Sequence, residues 1–337
     1  MTGTTATSEV LHRATVDDYL GPGERRFFGG GYRRAEQRLA DIRLTPGPDG
    51  GGTGSARASV GYPQDWSRKG DADRVPHLSS VDVLLIAGEM AELHLTHALG
   101  LDLRQRGELR LRRVRIQAGT NPVEKELADF QVHAAATPQT ERTTLVHCRV
   151  GALRVRCEVE HPPRPAVPTV APAHHHHPDA LLGPARLRPF AAAHRTKTQL
   201  VEDLRVDLAA GRATALVSTR STAPAGLPVQ GLESYSHGAT SILDAFVAGI
   251  QLGQILLYGL DSVSRAESDT LWMRQAVLEI GDPYRPVRRA ELAVRLAEPR
   301  LLTTRSGETW RTVDVVGELE HLGFRCSATH RLPGGAS

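Results

Sequence analysis

Three carboxylates at helical spacing are the residues of this chain best suited to chemistry. Asp82, Glu89 and Glu92 lie in an apolar run, and Glu89 follows Asp82 by about two helical turns, so both acids share one face. Burial raises the pKa of a carboxyl group, which suits a general base that removes a proton from a hydroxyl or an acidic α-carbon. The alternative is that Glu89 or Glu92 simply faces water at the helix edge.

The start of the same helix could assist catalysis through its backbone. Ser79 and Asp82 have the spacing of a capping box, and Ser241 and Asp244 repeat it. This structural role is favoured over catalysis for the two aspartates. The amide groups of the first turn, near Ser80, would still stabilise the oxyanion of a thioester carbonyl placed there.

The second of these helices has amides in place of acids. Gln251 and Gln254 stand where the first copy has Glu89 and Glu92. Amide side chains donate and accept hydrogen bonds but cannot act as bases. If the chain builds two clefts, the cleft that holds Glu89 is therefore predicted to be the catalytic one.

The loops before the two helices supply further candidates. His77 precedes the first helix and could complete a base–acid pair with acids of its own unit or of the other; the alternative is a polar loop residue. Trp66 and Arg68 could cover an acyl channel or contact an acidic carrier protein, and a solvated loop is the equal alternative. The predicted catalytic set is Glu89, His77, Asp82 and Glu92. The predicted substrate-binding set is Ser79, Ser80, Trp66, Arg68, Arg112, His237, Asp244, Gln251 and Arg274.

Other polar motifs receive structural interpretations. The stretch 27–32, flanked by arginines, could hold a phosphate, but it has no strand–loop–helix context and is taken as a flexible approach to the first strand. Four consecutive histidines, 174–177, have no fixed geometry in a proline-rich spacer, so no metal is predicted. Cys157 and His161 are expected to pack. No cofactor is predicted.

Composition limits the classes of function. The chain has 337 residues, enough for two domains, with 40% hydrophobic and 23% charged residues and a net charge of +3. Its 4% aromatic residues and mild charge disfavour nucleic acid. No apolar run is expected to reach the roughly 20 residues of a membrane span, and no secretory signal is recognised. Three cysteines indicate no disulfide framework and hence a cytoplasmic location.

An internal repeat positions the candidate residues. The segment around Asp82 recurs around Asp244, and the same offset carries Arg112 onto Arg274. We predict an N-terminal segment 1–31, repeats at 32–161 and 195–333, and an extended proline- and histidine-rich linker at 162–194 that cannot pack a core.

Each repeat shows the same order of periodicities. An apolar helix is predicted at 80–99 and again at 241–258. The predicted strands are 38–44, 56–62, 109–118, 128–136, 143–150 and 153–160 in the first copy, and 199–208, 213–219, 270–280, 290–298, 309–319 and 323–331 in the second. A central helix wrapped by an antiparallel sheet is the hotdog arrangement. The predicted class is α+β, a tandem double hotdog in which two copies pair as an intramolecular pseudo-dimer and so cover a sheet edge.

The N-terminal half also resembles a known family. The strings 17–23 and 26–32, the motif Asp65-Trp66-Ser67, and Pro76-His77-Leu78-Ser79 before the helix are similar to the AvrD family of avirulence proteins. The resemblance implies synthesis of a syringolide-type signal, in which a β-ketoacyl chain from a carrier thioester is joined to a ketose such as xylulose. The two-copy layout also resembles the A-factor synthase family, which makes butenolides.

The leading hypothesis is therefore an acyltransferase and condensing enzyme. Glu89 would be its base, His77 a helper, and the helix start near Ser80 its oxyanion site. Its expected partners are a β-ketoacyl thioester, on acyl carrier protein or coenzyme A, and a ketose, with no nucleic acid and no membrane; a homodimer is left open. The alternatives are a hotdog dehydratase or thioesterase, and a non-catalytic module that binds an acyl ligand.

Overall fold

Each half of the chain places one long helix on the inner face of an antiparallel sheet. The computed structural model describes residues 10–69, 72–73, 75–119, 121, 123–163, 170–222, 224, 227–268, 270–282 and 285–333. The elements up to residue 160 are β1 (Val10–Thr15), α1 (Asp17–Leu20), β2 (Glu36–Pro46), β3 (Gly52–Gly61), β4 (Arg68–Lys69), β5 (Ala72–Asp73), α2 (Ser80–Leu99), α3 (Leu103–Arg106), β6 (Arg110–Gln117), β7 (Phe130–Pro138), β8 (Thr143–Val150) and β9 (Leu153–Glu160). The remaining elements are β10 (Ala173–His175), α4 (Asp179–Leu182), β11 (Lys197–Asp207), β12 (Arg212–Ser221), α5 (Ile242–Leu260), β13 (Trp272–Ile280), β14 (Arg289–Thr303), β15 (Thr309–Leu319) and β16 (Leu322–Arg331).

Both long helices begin at a capping box and are buried over almost their whole length. Ser79 accepts a hydrogen bond from the Asp82 amide, and Asp82 accepts one from the Ser79 amide; Ser241 and Asp244 repeat the arrangement. Gly100, in the left-handed region at φ 62°, ends α2. Helix α2 matches its predicted bounds, and α5 extends two residues beyond its prediction.

Helix α5 also corrects an expectation about membrane spans. Of the described helices, Ile242–Leu260 alone is long and apolar enough to cross a membrane, with a mean hydropathy of 1.5, whereas the sequence was expected to hold no such run. In the structure 89% of this stretch is buried inside the protein. Its apolar character is accounted for by packing against its own half of the sheet.

Fourteen of the sixteen described strands form one sheet that is symmetric about its centre, and β4 pairs with β5 apart from it. The order of its fourteen strands is β1-β11-β12-β14-β15-β16-β13-β6-β9-β8-β7-β3-β2-β10, all antiparallel neighbours. At the centre Val277 pairs with Arg115, and the repeat offset carries Arg115 onto Val277. A pseudo-twofold axis therefore passes through this pair and relates the halves. All twelve predicted strands are present, five of them with the predicted bounds or within one residue of them.

The segments before the two halves are themselves equivalent and cross over. We call residues 10–34 arm 1 and residues 173–196 arm 2. Strand β1 of arm 1 pairs with β11 of the second half, and β10 of arm 2 pairs with β2 of the first half. The arms meet where the ring of Tyr32 stacks on that of His194, with centroids 6.5 Å apart. Arm 1 thus packs on the second half and arm 2 on the first half.

Arm 2 covers most of the segment 162–194, which was predicted to be an extended linker without a packed core. In the structure this arm is folded and packed. It contains a strand and a helical turn, and Leu182, Arg188 and Phe190 are buried. The physical reason is that apolar residues and an ion-paired arginine lie among the prolines and find partners on α2. The signal was present in the sequence, because Leu20-Gly21-Pro22 recurs as Leu182-Gly183-Pro184.

Close packing of arm 2 on α2 leads to a stability prediction. A methyl group built on Gly88 would lie 2.2 Å from the ring of Phe190, so a side chain at this position forces the arm away. We expect Gly88→Ala to lower the free energy of unfolding by about 1–3 kcal/mol in urea titrations. In a Phe190→Ala background the same change should cost little. Gly323→Ala, where a methyl group meets nothing within 4 Å, is the control. An equal loss in both backgrounds would contradict the packing of this ring on Gly88.

Candidate active site

The start of helix α2 is fixed by the carboxylate of Asp82, which accepts four hydrogen bonds. Asp82 is fully buried and accepts hydrogen bonds from the Ser79 amide at 3.0 Å, the Ser79 hydroxyl at 2.5 Å, Gln37 Nε2 at 2.6 Å and the Tyr62 hydroxyl. Four donors leave little acceptor capacity on its two oxygens. The geometry therefore favours the structural role for Asp82, which orients the first turn of the helix.

The start of helix α5 repeats this arrangement with one added charge. Asp244 accepts from the Ser241 amide at 2.9 Å, from Gln199 Nε2 at 2.5 Å and from Lys197 Nζ at 2.5 Å. Burial opposes ionisation of Asp244, but the charge and hydrogen bond of Lys197, together with the hydrogen bonds from Ser241, lower its pKa. Gln37 and Gln199 are equivalent by the repeat, and the signal for them was their common offset from the two aspartates.

A cavity of about 680 Å³ opens at the start of α2 and is walled by both halves. Four residues of the predicted sets line it from the first half: Ser79, Ser80, His77 and Trp66. The second half contributes Gln254 from α5 and a group of β-strand residues. That group includes Trp272, Arg274, Trp310 and Thr329, and arm 1 adds Arg26, Phe27 and Phe28. The cavity thus combines a helix N-terminus, aromatic walls and cationic groups.

His77 lies in the wall of this cavity between two tryptophans. Its ring centroid is 5.5 Å from that of Trp66 and 5.2 Å from that of Trp272. Burial lowers the pKa of His77, while the Val75 carbonyl and the carboxylates of Asp82 and Glu124 oppose the shift. A lowered pKa favours the neutral imidazole, which can accept a proton near neutral pH. Glu124, which also lines the cavity, was not singled out in the sequence because it lies in a loop without a periodic pattern.

Two buried donors in the cavity wall have no hydrogen-bond partner among the described residues. These are Arg26 Nε and Trp310 Nε1. Because a buried donor without an acceptor is costly, such groups are expected to meet an acceptor from elsewhere. Both residues line the cavity, so a ligand that carries oxygen acceptors would complete their hydrogen bonding.

The equivalent position at the start of α5 is closed. Its cavity holds only about 20 Å³ and is lined by His237, Ser241, Asp244 and a set of bulky or charged neighbours: Lys197, Glu233, His194, Pro189 and Phe190. Burial lowers the pKa of His194 to about 3 and raises that of Glu233 to about 7. The predicted residues His237 and Asp244 therefore come together, but in a space too small for a substrate.

The arms supply an arginine to the middle of each helix. Arg188 of arm 2 is 1% exposed and donates to Glu89 Oε1 at 2.5 Å and to Asp179 at 2.7 Å. Arg26 of arm 1 donates to Gln251 Oε1 at 2.6 Å and also pairs with Asp17. Glu89 and Gln251 are thus bound by equivalent arginines. Neither Glu89 nor Glu92 lines the open or the closed cavity.

The arms also reach the helix caps. Arg33 donates to Gln199 Oε1 at 2.8 Å, and the equivalent Arg195 approaches Gln37 Oε1 at 3.5 Å. Each capping aspartate is therefore connected, through a glutamine, to an arginine of an arm. Sequence analysis missed these residues, although Arg26 and Arg33 recur as Arg188 and Arg195 at the repeat offset.

Glu92 is a buried acid with one cation at the limit of ion-pair distance. It is 1% exposed, and its nearest cation is Arg106 at 4.0 Å. The backbone of Gly231 packs so closely on this carboxylate that a methyl group built there would lie 2.0 Å from Oε1. Burial raises the pKa of Glu92 to about 7, against the opposing effects of Arg188 and Arg106. Burial likewise raises the pKa of Glu89, and its close contact with Arg188 opposes the shift.

The predicted binding residue Arg112 does not line the open cavity. Arg112 lies on β6 and pairs with Asp282 at 3.0 Å and with Glu160 at 3.4 Å. The side chain of Arg68 lies outside the described residues. Among the described residues, one group of histidines and acids, Asp41, His174 and His176, has the spacing of a metal site, and it lies apart from the cavity residues.

Fold and site together define an α+β protein of two equivalent halves with one open cavity at the start of a buried helix. A model of the Pseudomonas avirulence D protein family (AvrD) matches residues 11–333. The chain belongs to the AvrD family, which confirms the resemblance seen in its N-terminal half.

Comparison with solved structures finds several similar chains at low identity. A tesB protein of Mycobacterium avium subsp. paratuberculosis is 7% identical, with 83% of this chain and 93% of that chain covered and a TM-score of 0.39. A trans-AT PKS dehydratase domain of Brevibacillus brevis is 14% identical, with 86% and 96% covered and a TM-score of 0.38. An acyl-ACP thioesterase of Bacteroides thetaiotaomicron is 11% identical, with 89% and 99% covered and a TM-score of 0.38. No curated protein matches the chain in sequence.

The raised pKa of Glu92 leads to a prediction about pH. Because the folded state holds the proton of Glu92 up to about pH 7 and the unfolded state releases it near 4.5, unfolding becomes easier as the pH rises through this window. At about 1.4 kcal/mol per pKa unit, the effect amounts to roughly 3 kcal/mol. In urea titrations at pH 5 and pH 8, the free energy of unfolding of Glu92→Gln should therefore rise relative to that of the wild type. The expected rise between these two pH values is about this amount. A constant difference across this range would show that Glu92 is ionised throughout.

Proposed function

We propose that this chain is a biosynthetic enzyme that joins a β-ketoacyl group, delivered as a thioester, to a ketose of the xylulose type. The observation that carries the proposal is the 680 Å³ cavity that brings His77 and the first turn of α2 together. Membership of the AvrD family supports the same chemistry, because the family resemblance implies a syringolide-type acyl-sugar product. The closed counterpart of 20 Å³ supports a single reaction site.

The architecture supports reading the two halves as a tandem double hotdog. Each half wraps six sheet strands around one long helix, and the halves join edge to edge through β6 and β13. In this interpretation the reaction site lies at the interface of the halves, where one contributes the helix start and the other Gln254 and the strand residues. The arms complete the pseudo-dimer.

Substrate placement follows from the lining of the cavity. The aromatic and apolar residues Phe27, Trp66, Leu271 and Trp272 offer contacts for an acyl chain. Arg26 Nε and Trp310 Nε1, whose hydrogen bonds are incomplete, offer donors for the oxygens of a sugar. With the thioester carbonyl at the first turn of α2, near Ser80, the helix amides would stabilise the negative charge that develops on its oxygen.

Proton transfer is assigned to His77. Its neutral imidazole would take the proton of a ketose hydroxyl as the oxygen attacks the thioester carbon. The carbon–sulfur bond then breaks, and the imidazolium returns the proton to the leaving thiolate. The carbon between the two carbonyls of the β-ketoacyl ester is acidic, so the same histidine would remove its proton. This carbon then attacks the ketose carbonyl in the ring-closing step, and the imidazolium gives the proton to the alkoxide that forms. Each step conserves protons without an added cofactor.

Glu89 receives a different role from the one expected from the sequence alone. In place of the general base, we propose a positioning residue that anchors arm 2 through Arg188. Truncating one partner of a buried ion pair leaves the other charge uncompensated, which costs about 3–5 kcal/mol. Glu89→Gln should therefore lose stability while a folded fraction retains its turnover per folded molecule. Full folding with no turnover would restore Glu89 as the base.

The central test compares the two histidines, His77 and His237, that lie in the loops before the two long helices. Purified protein is given a β-ketoacyl thioester and xylulose, and the products are followed by mass spectrometry. We expect the wild type to form an acyl–ketose product and His77→Ala to lose at least a hundredfold in rate, because general base catalysis contributes about 10²–10⁴. His237→Ala, in the closed cavity, is the matched control and should retain most activity. Circular dichroism and a urea titration establish that both variants fold.

Other outcomes would redirect the proposal. Free β-keto acid without sugar in the product would indicate a thioesterase, and loss of water from a β-hydroxyacyl thioester would indicate a dehydratase. Tight binding of the thioester without any product would indicate a non-catalytic acyl-binding module. Normal turnover of His77→Ala would remove this histidine from the mechanism.

A further inference from the structure

The outer face of the first half of the sheet carries an unusual density of positive charge. A groove of about 780 Å³ crosses strands β2, β3, β7, β8, β9 and β6. We call it the basic groove. Its charged and titratable lining residues are Arg43, Arg115, Arg149, Arg154, Arg156, His133 and His147, and the described residues that line it include no Asp or Glu.

Most of this charge is not neutralised by neighbours. In the described part of the chain, Arg115, Arg149, Arg154 and Arg156 form no salt bridge, and Arg43 is 3.9 Å from Asp41. Arg115 donates to Gln275 at 2.8 Å, a neutral partner. Like charges on one sheet face repel one another, so a face of this kind gains stability when an anion covers it.

Where the structure describes the equivalent strands of the second half, they do not repeat this pattern of charge. The hairpin at Val150 and Leu153 corresponds to the hairpin at Leu319 and Leu322, which matches Arg149 with Glu318 and Arg156 with Arg325. Arg325 is neutralised by Asp314 at 2.6 Å. The positive charge is therefore a property of one half rather than a consequence of the fold.

The basic groove reaches the rim of the open cavity. Gln117 and Arg154 are paired across β6 and β9 and both line the groove. Their chain neighbours Ala118 and Leu153 line the cavity. A partner bound along the groove would therefore have one end next to the opening that leads to the start of α2.

We propose that the basic groove docks an acidic acyl carrier protein, whose prosthetic arm enters the cavity past Ala118 and Leu153. This inference rests on the proposed function and specifies its acyl donor. The six strands span about 24 Å at the usual strand spacing, a length suited to an acidic helix rather than to the few phosphates of coenzyme A. Charge complementarity of this kind speeds association and selects the partner.

The test separates docking from chemistry. Binding of a β-ketoacyl carrier protein is measured by isothermal titration calorimetry, which needs no turnover, and transfer is measured with that donor and with a carrier-free β-ketoacyl pantetheine thioester. For Arg149→Glu/Arg154→Glu we expect at least tenfold weaker carrier binding and a correspondingly raised KM for the carrier donor. Turnover of the carrier-free donor should keep its wild-type rate. Wild-type binding should weaken steeply as salt is raised.

The control reverses the same number of charges on the other half. Arg205→Glu/Arg212→Glu changes two arginines of β11 and β12 and should leave carrier binding unchanged. Carrier binding unaffected by the groove variant would overturn the proposal, even if transfer itself is observed. An equal loss with β-ketoacyl coenzyme A would assign the groove to that donor instead, and groove-dependent binding of a nucleic acid in place of the carrier would also overturn it.

A separate observation concerns the histidine run of arm 2. His174 of β10 and His176, which directly follows the strand, lie with their rings 5.1 Å apart, and His174 Nε2 is 2.7 Å from Asp41 Oδ1. The Asp41 amide donates to the His176 carbonyl at 3.2 Å, so the backbone holds the three residues in register. One ligand atom from each lies within 4.8 Å of the others. The sequence was expected to offer no fixed geometry here, and pairing with β2 supplies it.

We infer that Asp41, His174 and His176 bind a divalent cation of the zinc class. Two imidazoles and a carboxylate are ligands that Zn²⁺ accepts, and they leave a position for water. Since the ligands come from β2 and from arm 2, the ion would tie this arm to the edge of the first half. Binding that is confined to the folded state would raise the free energy of unfolding.

The test distinguishes this site from the general affinity of a histidine run. Zn²⁺ alone is titrated into the full-length protein by calorimetry, and thermal unfolding is followed with and without Zn²⁺. Asp41→Asn, which leaves the run intact, should weaken binding at least tenfold and abolish the rise in melting temperature. His175→Ala, on the other face beside His97, should change neither. Equal loss in His175→Ala, or wild-type binding in Asp41→Asn, would overturn the site.

Discussion

The buried ion pair between Arg188 and Glu89 is the interaction on which the asymmetry of this protein depends. Taking both charges out of water is costly, so the pair persists only where its geometry is close and further hydrogen bonds satisfy the guanidinium group. Arg188 meets this condition through Glu89, Asp179 and the Gly183 carbonyl. The pair fixes arm 2 on α2 and brings the ring of Phe190 onto Gly88.

The same arm closes the second cavity. Pro189, Phe190 and His194, which follow Arg188 in the chain, line the 20 Å³ space at the start of α5 together with Lys197. In arm 1 the equivalent arginine, Arg26, has Gln251 as a neutral partner in place of a carboxylate. The repeat thus has an acid, Glu89, bound by the arm that closes the cavity at the start of α5. It has an amide, Gln251, bound by the arm beside the open cavity at the start of α2.

In this arrangement the two halves contribute different groups to the open cavity. The first half contributes the helix start, His77 and the basic groove. The second half supplies aromatic and amide side chains to the same cavity, and its own outer sheet face carries compensating acids such as Glu318. A symmetric ancestor would place the same groups twice, whereas here each half has kept a different part of one site. The pseudo-twofold contact at Arg115 and Val277 holds these parts in register.

Much of the fold was determined by local sequence alone. Capping boxes, an apolar helix period and strand alternation are local signals, which is why α2 and the strands β8, β9 and β15 appear at the predicted residues. The repeat established two equivalent halves, and the family was visible in its motifs. Only the tertiary structure decided which side chains meet. Glu89 shares a helix with the cavity residue Ser80, yet it faces Arg188 of a segment about a hundred residues away, because crossed arms bring each half into contact with the other. Burial, partner choice and the opening of a cavity depend on such distant contacts, and local periodicity carries no information about them.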